Sequence, residues 1–233
     1  MNDGLRSGTA TPPRFPLVIF DMDGVLTDHV SSWMFMHQHF NVDNEQGYLD
    51  YKAGKIDDLE FMSQDIRLWR KFEPELTIGQ VTSILDGIPL MPGVREVFSE
   101  LNSRGIRTAI ISGGLYPLAQ RLQRELGITW IRSNGVELDG TGKLTGEGVL
   151  RVSLRSKDDV VREITKMAGV PFDRTAAIGD TRIDASMLEL CHLGIAFDPK
   201  DEDTEQSADV IIRKKDLREI LPHILGNDEG GSP

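Results

Sequence analysis

The chain has 233 residues, 39% hydrophobic and 27% charged, and a formal net charge of −11. This describes a globular protein with room for one ordinary domain and a smaller one, and it excludes a disordered chain. The acidic balance argues against a nucleic-acid backbone or an anionic membrane as partner, but a small phosphorylated metabolite held by a local cation is compatible with it.

Cys191 is the single cysteine, so no internal disulfide forms, which fits a reducing, cytoplasmic setting. No apolar run approaches the ~18 residues of a membrane span. Met1–Pro16 lacks the apolar core of a signal peptide. Residues 1–13 and 226–233 read as loose tails.

In chain order, Leu17-Val18-Ile19-Phe20 is a continuous apolar run, as expected of a strand buried on both faces. It leads into Asp21-Met22-Asp23-Gly24. Side chains at i and i+2 of an extended chain point the same way, so Asp21 and Asp23 face one centre, and Gly24 permits a sharp turn. Two acids this close need a cation, a proton, or both.

Residues 29–89 then show helical patterns and no strand. Asp57-x-x-Glu60 and Thr77-x-x-Gln80 are capping boxes. The first opens a helix with Leu59, Met62, Ile66 and Trp69 on one face. His37 and His39, at i and i+2 of a helix, point to different sides, which favours solvated or partner-facing histidines over a metal pair.

After Pro92-Gly93 comes a helix over 94–104, stopped by Gly105. A strand over 106–111 ends in Ser112-Gly113-Gly114. A helix over 117–126, closed by Gly127, precedes a short strand over 128–132. Asp139-Gly140 between alternating apolar residues signals a hairpin over 137–144.

Ser156-Lys157-Asp158-Asp159 opens a helix with Val160, Val161, Ile164 and Met167 on its apolar side. A strand over 175–179 ends in Asp180, with Asp184 four residues on. Short strands at 194–197 and 209–212 and a helix over 217–225 complete the chain. Alternating strands and helices predict an α/β fold with a mostly parallel sheet.

Three strand ends thus deliver carboxylates, a hydroxyl and glycine amides, and Lys157 adds a cation. Hard oxygen donors with a phosphate-binding turn suit Mg²⁺. No His/Cys cluster suits zinc. In this order and spacing, Asp21-Met-Asp23-Gly-Val-Leu-Thr-Asp28, Ile110-Ile-Ser112-Gly-Gly114, Ser156-Lys157 and Gly179-Asp180-Thr-Arg-Ile-Asp184 resemble the four motifs of the haloacid dehalogenase superfamily. The similarity extends over 17–225 and is greatest to the phosphoserine-phosphatase-like branch.

The resemblance implies a Rossmann-like core over 14–28 and 90–225, with a helical C1-type cap over 29–89. It implies a Mg²⁺-dependent phosphatase that hydrolyses a small phosphomonoester through an aspartyl-phosphate, phosphoserine being the first candidate. Asp21 is then the nucleophile and Asp23 the acid and base. Asp21, the backbone carbonyl of Asp23, Asp180 and Asp184 form the metal site. Ser112, Gly113 and Lys157 bind the phosphate. Arg67 and Arg70 on the cap helix are the candidates for a substrate carboxylate.

Two departures stand out. Asp28-His29-Val30-Ser31-Ser32 lacks the branch's cap glutamate, and Thr181-Arg182-Ile183 replaces its Gly-x-Asn. A phosphotransferase of the same family and a non-catalytic phosphate-binding regulator are the alternatives. The oligomeric state is open, a homodimer included.

Overall fold

The computed structural model describes residues 12–226. The expected tails lie outside the described residues apart from positions 12, 13 and 226, and Pro13 is tied down by a hydrogen bond from Arg174 to its carbonyl (2.7 Å).

The first strand, β1 (Leu17–Phe20), is buried throughout. Its side chains alternate between two cores. Val18 and Phe20 join a large apolar cluster on one face, and Leu17 and Ile19 join a second cluster on the other. Each fully buried side chain of this kind contributes about 1.5–3 kcal/mol. An unbroken apolar run is what two covered faces require.

Four helices follow before the chain returns to the sheet: α1 (Ser32–Phe40), α2 (Glu45–Lys52), α3 (Asp58–Phe72) and α4 (Ile78–Leu85). Asp57 caps α3 by accepting from the Glu60 amide, and Thr77 and Gln80 form a reciprocal capping box on α4. Met62, Ile66 and Trp69 are buried as their spacing predicts. Leu59 is not: it lies in the first turn of α3 at the rim, 41% exposed.

The chain continues through α5 (Val94–Ser103), β2 (Arg107–Leu115), α6 (Tyr116–Leu126), β3 (Trp130–Leu138) and β4 (Leu144–Val149). The hairpin around Asp139-Gly140 forms as expected, but β3 runs well past residue 132 and pairs antiparallel with β4 at both of its ends, across a register shift between Val136 and Leu138. Then come α7 (Asp158–Ala168), β5 (Thr175–Gly179), α8 (Ala185–Leu190), β6 (Leu193–Phe197), α9 (Glu202–Gln206), β7 (Val210–Ile212) and α10 (Leu221–Leu225). Met167, in the last turn of α7, is exposed, and its sulfur accepts from Arg132 on β3.

The sheet has seven strands in the order β4-β3-β2-β1-β5-β6-β7, all parallel except the edge strand β4. β1 is central, with Phe20 in register with Ile110 of β2 and Ile178 of β5. The chain runs outward from β1 in both directions, so the crevice at its C-terminal end is where such sheets receive ligands. No helix among the described residues is long and apolar enough to cross a membrane.

Candidate active site

The parallel register brings three loops to one point. The Asp21 amide donates to Ile178 O (2.9 Å), extending the β1–β5 ladder by one bond, so the nucleophile candidate sits on rigid backbone. The chain then turns at Gly24, whose φ of +80° is left-handed. A Cβ there would stand 2.1 Å from Asp180 Oδ2, so glycine is needed for conformation and for space alike.

Lys157, at the start of α7, is 2% exposed and lies between two acids: its Nζ is 2.7 Å from Asp21 Oδ1 and 2.5 Å from Asp184 Oδ1. Burial alone would lower the Lys157 pKa, but Asp184 and Asp21 outweigh it and hold the ammonium above its ordinary value. Burial pushes Asp21 up to about 7, against the lowering effect of Lys157. Asp180 is pushed up to about 9, chiefly by burial and then by Asp21 and Asp184.

Asp184 has a second task. Its Oδ2 accepts from the amides of Asp180 (3.0 Å) and Thr181 (3.1 Å), which ties the loop after β5 into a tight turn. Gly179 allows this approach, since a Cβ there would lie 2.3 Å from Asp184 Cβ.

Carboxylate oxygens of Asp21, Asp180 and Asp184 lie within 4.8 Å of one another. Three carboxylates face one ammonium, and Asp180 Oδ1 is buried without a hydrogen-bond partner. That excess of hard oxygen donors fits a divalent cation such as Mg²⁺. The Asp23 side chain is not in this group.

Asp23 points instead toward α1. Its Oδ2 accepts from the Ser32 amide (2.9 Å) and the Ser32 hydroxyl (2.8 Å), and its Oδ1 is buried with no partner. Ser32 Oγ accepts in turn from the Leu115 amide (2.9 Å), which commits its proton to Asp23. Burial raises the Asp23 pKa against these two hydrogen bonds.

Ser112 is buried at a register shift of β2, and its hydroxyl accepts from the Gly114 amide (3.1 Å). The Gly113 carbonyl is held by Trp33 Nε1 (3.0 Å) and Asn134 Nδ2 (3.3 Å). A cavity of about 670 Å³ opens over this floor between the strand ends and the helices α1–α3. Asp21, Asp23, Ser112, Gly113, Lys157 and Asp180 all line it. Asp184 sits behind them, fully buried.

Arg67 and Arg70 do not reach this cavity. Arg67 is half exposed and pairs with Glu60 (3.2 Å) and Glu147 (2.6 Å). Arg70 donates to the carbonyls of Thr145 (2.5 Å) and Pro74 (3.5 Å). Both lie on the side of α3 packed against β4, a pairing that depends on the unforeseen length of that strand. His37 is likewise not solvated: its Nδ1 accepts from Trp69 Nε1 (3.1 Å) and its Nε2 is 3.2 Å from Asp65.

Sequence reasoning passed over Ser32, Trp33 and Asp65. Local pattern carries no sign of the first two, because their partners lie in other loops. Asp65 did leave a signal: it sits three residues after Met62, on the buried stripe of α3, where an acid is out of place.

Fold and site together define a Rossmann-like α/β protein whose acidic centre lies at the end of the first strand, beneath a helical insertion. The family model for haloacid dehalogenase-like hydrolases matches residues 15–192. A phosphoserine phosphatase of Wolinella succinogenes is 32% identical over 211 residues, covering 89% of this chain and 99% of the relative. One from Methanocaldococcus jannaschii is 30% identical over 212 residues, covering 89% and 97%. A solved phospho-aspartyl intermediate analogue of phosphoserine phosphatase matches with a TM-score of 0.74 at 27% identity, covering 89% of this chain and 98% of the other. This chain belongs to the haloacid dehalogenase-like hydrolases, in their phosphoserine-phosphatase-like branch, and by that membership is a phosphoric monoester hydrolase.

Proposed function

We propose that the protein is a Mg²⁺-dependent phosphatase of a small phosphorylated metabolite, working through an aspartyl-phosphate on Asp21. The observation that carries this reading is the convergence of Asp21, Asp23, Ser112, Lys157 and Asp180 on the floor of one cavity. Residues 14–28 and 90–225 serve as the catalytic core, and 29–89 as a cap that selects substrate and excludes water. The cytoplasm is the proposed setting. Phosphoserine is the first ester to assay, because relatives named phosphoserine phosphatases cover most of the chain.

Asp21 attacks phosphorus while Lys157 holds its Oδ1. The bond to the ester oxygen breaks as Asp23 protonates the leaving alcohol. With Oδ2 of Asp23 accepting two hydrogen bonds from Ser32, the proton is carried on Oδ1. A water then attacks the phosphoryl group and gives its proton to Asp23, and phosphate leaves Asp21. Ser112, the Gly113 amide and Lys157 compensate the phosphoryl oxygens, the main demand of this reaction class. Mg²⁺ held by Asp21, Asp180 and the Asp23 carbonyl, on a loop braced by Asp184, supplies further positive charge when bound.

Phosphate release from a panel of phosphomonoesters, with and without Mg²⁺, tests this. Asp21→Asn keeps the shape and removes the nucleophile, so release should fall by about 10³-fold or more. Activity within about tenfold of wild type would overturn the assignment of Asp21.

A further inference from the structure

The cavity is polarised. Among the described residues, the only Lys or Arg in its lining is Lys157, at the floor. The wall built from α1–α3 and their connections contributes Asp43, Glu45 and Asp65. Asp65 is 4% exposed, and a carboxylate is costly to bury without a cation.

Its partners are neutral. Asn44 Nδ2 donates to Oδ1 (2.7 Å), and His37 faces the same oxygen. The indole N–H of Trp69 can only donate, so His37 Nδ1 bears no proton and the ring holds just one, on Nε2. No Lys or Arg among the described residues pairs with Asp65. Both arginines of α3 are turned away and occupied elsewhere.

A substrate carboxylate would therefore meet like charge and no guanidinium, whereas an ammonium would complete the pair Asp65 lacks. Trp33, Met34 and Phe61 line the same cavity and offer it apolar surface. We infer that the substrate is a phosphomonoester of an amine-bearing alcohol without a carboxylate, its ammonium received by Asp65 and its carbon chain by Trp33, Met34 and Phe61. This rests on the phosphatase reading and names the substrate class of the same site.

The test compares ω-aminoalkyl phosphates of increasing chain length with n-alkyl phosphates of equal heavy-atom number, alongside phosphoserine and p-nitrophenyl phosphate. At the best length, kcat/KM for the amine should exceed that for its alkyl counterpart by about tenfold or more and should exceed that for phosphoserine. Asp65→Asn should abolish most of that ratio, with the loss in KM. Wild-type protein alone can overturn the inference, by an amine-to-alkyl ratio at or below one at every length, or by phosphoserine as the best ester. In either case, release from p-nitrophenyl phosphate leaves the phosphatase reading standing. No release from any ester overturns both.

Discussion

Lys157→Met removes one charge and little volume, which makes it a direct probe of the acidic centre. In the wild type its Nζ is 2.7 Å from Asp21 and 2.5 Å from Asp184, with all three side chains at most 10% exposed. Breaking a buried ion pair by removing one partner costs about 3–5 kcal/mol, because the other charge is stranded. For a chain of this size, 1 kcal/mol moves Tm by about 2–4 °C, so the metal-free variant should unfold roughly 10 °C below wild type. The sign follows from the shift. Lys157 is held above its ordinary 10.5, so its contribution is fully present below that value and is lost as pH rises through the higher folded value. The deficit should also shrink in acid. Asp21 is already raised to about 7 with Lys157 beside it, and without that neighbour it takes a proton more readily still. Thermal unfolding in a chelator, at about pH 8 and about pH 5, measures both effects. A shift within about 2 °C at pH 8, or a deficit that grows in acid, would refute the reasoning.

The other predictions concern the metal and the cap. Burial and like charge raise Asp180 to about 9 from 3.8, so the metal-free fold holds more protons than the unfolded chain across that window and loses stability as pH rises through it. Mg²⁺ competes with those protons; its gain in Tm should be larger at about pH 8.5 than at about pH 6, and an equal or smaller gain would contradict the assigned site. Arg70→Ala should cost about 1–2 kcal/mol of stability by freeing the Thr145 carbonyl, with KM unchanged; a tenfold rise in KM would return Arg70 to the substrate site. Arg67→Ala removes a half-exposed pair and should cost no more than about 1 kcal/mol in denaturant titration, again at constant KM.

The architecture was legible in the chain because it rests on local periodicity and on residues consecutive in sequence. The apolar run Leu17–Phe20, the Thr77 and Gln80 capping box, and the helix-stopping Gly127 each act within a few residues of themselves. The acids at the strand ends were legible for the same reason: a parallel sheet gathers the C-terminal ends of its strands, so Asp21, Ser112 and Asp180 were bound to meet once their strands paired. The cap was different. Which face of α3 meets the cavity depends on β4, a strand whose end was not marked, and that packing drew Arg67 and Arg70 to Glu147 and Thr145. It left Asp65 lining the same cavity as the nucleophile candidate. The sequence by itself determined where the acidic centre and its cation lie. The tertiary structure alone decided that Ser32, held by the Leu115 amide, directs its proton to Asp23 and that the cap presents a carboxylate in place of a guanidinium, because the first depends on a strand 83 residues further along the chain and the second on the packing of α3 against β4.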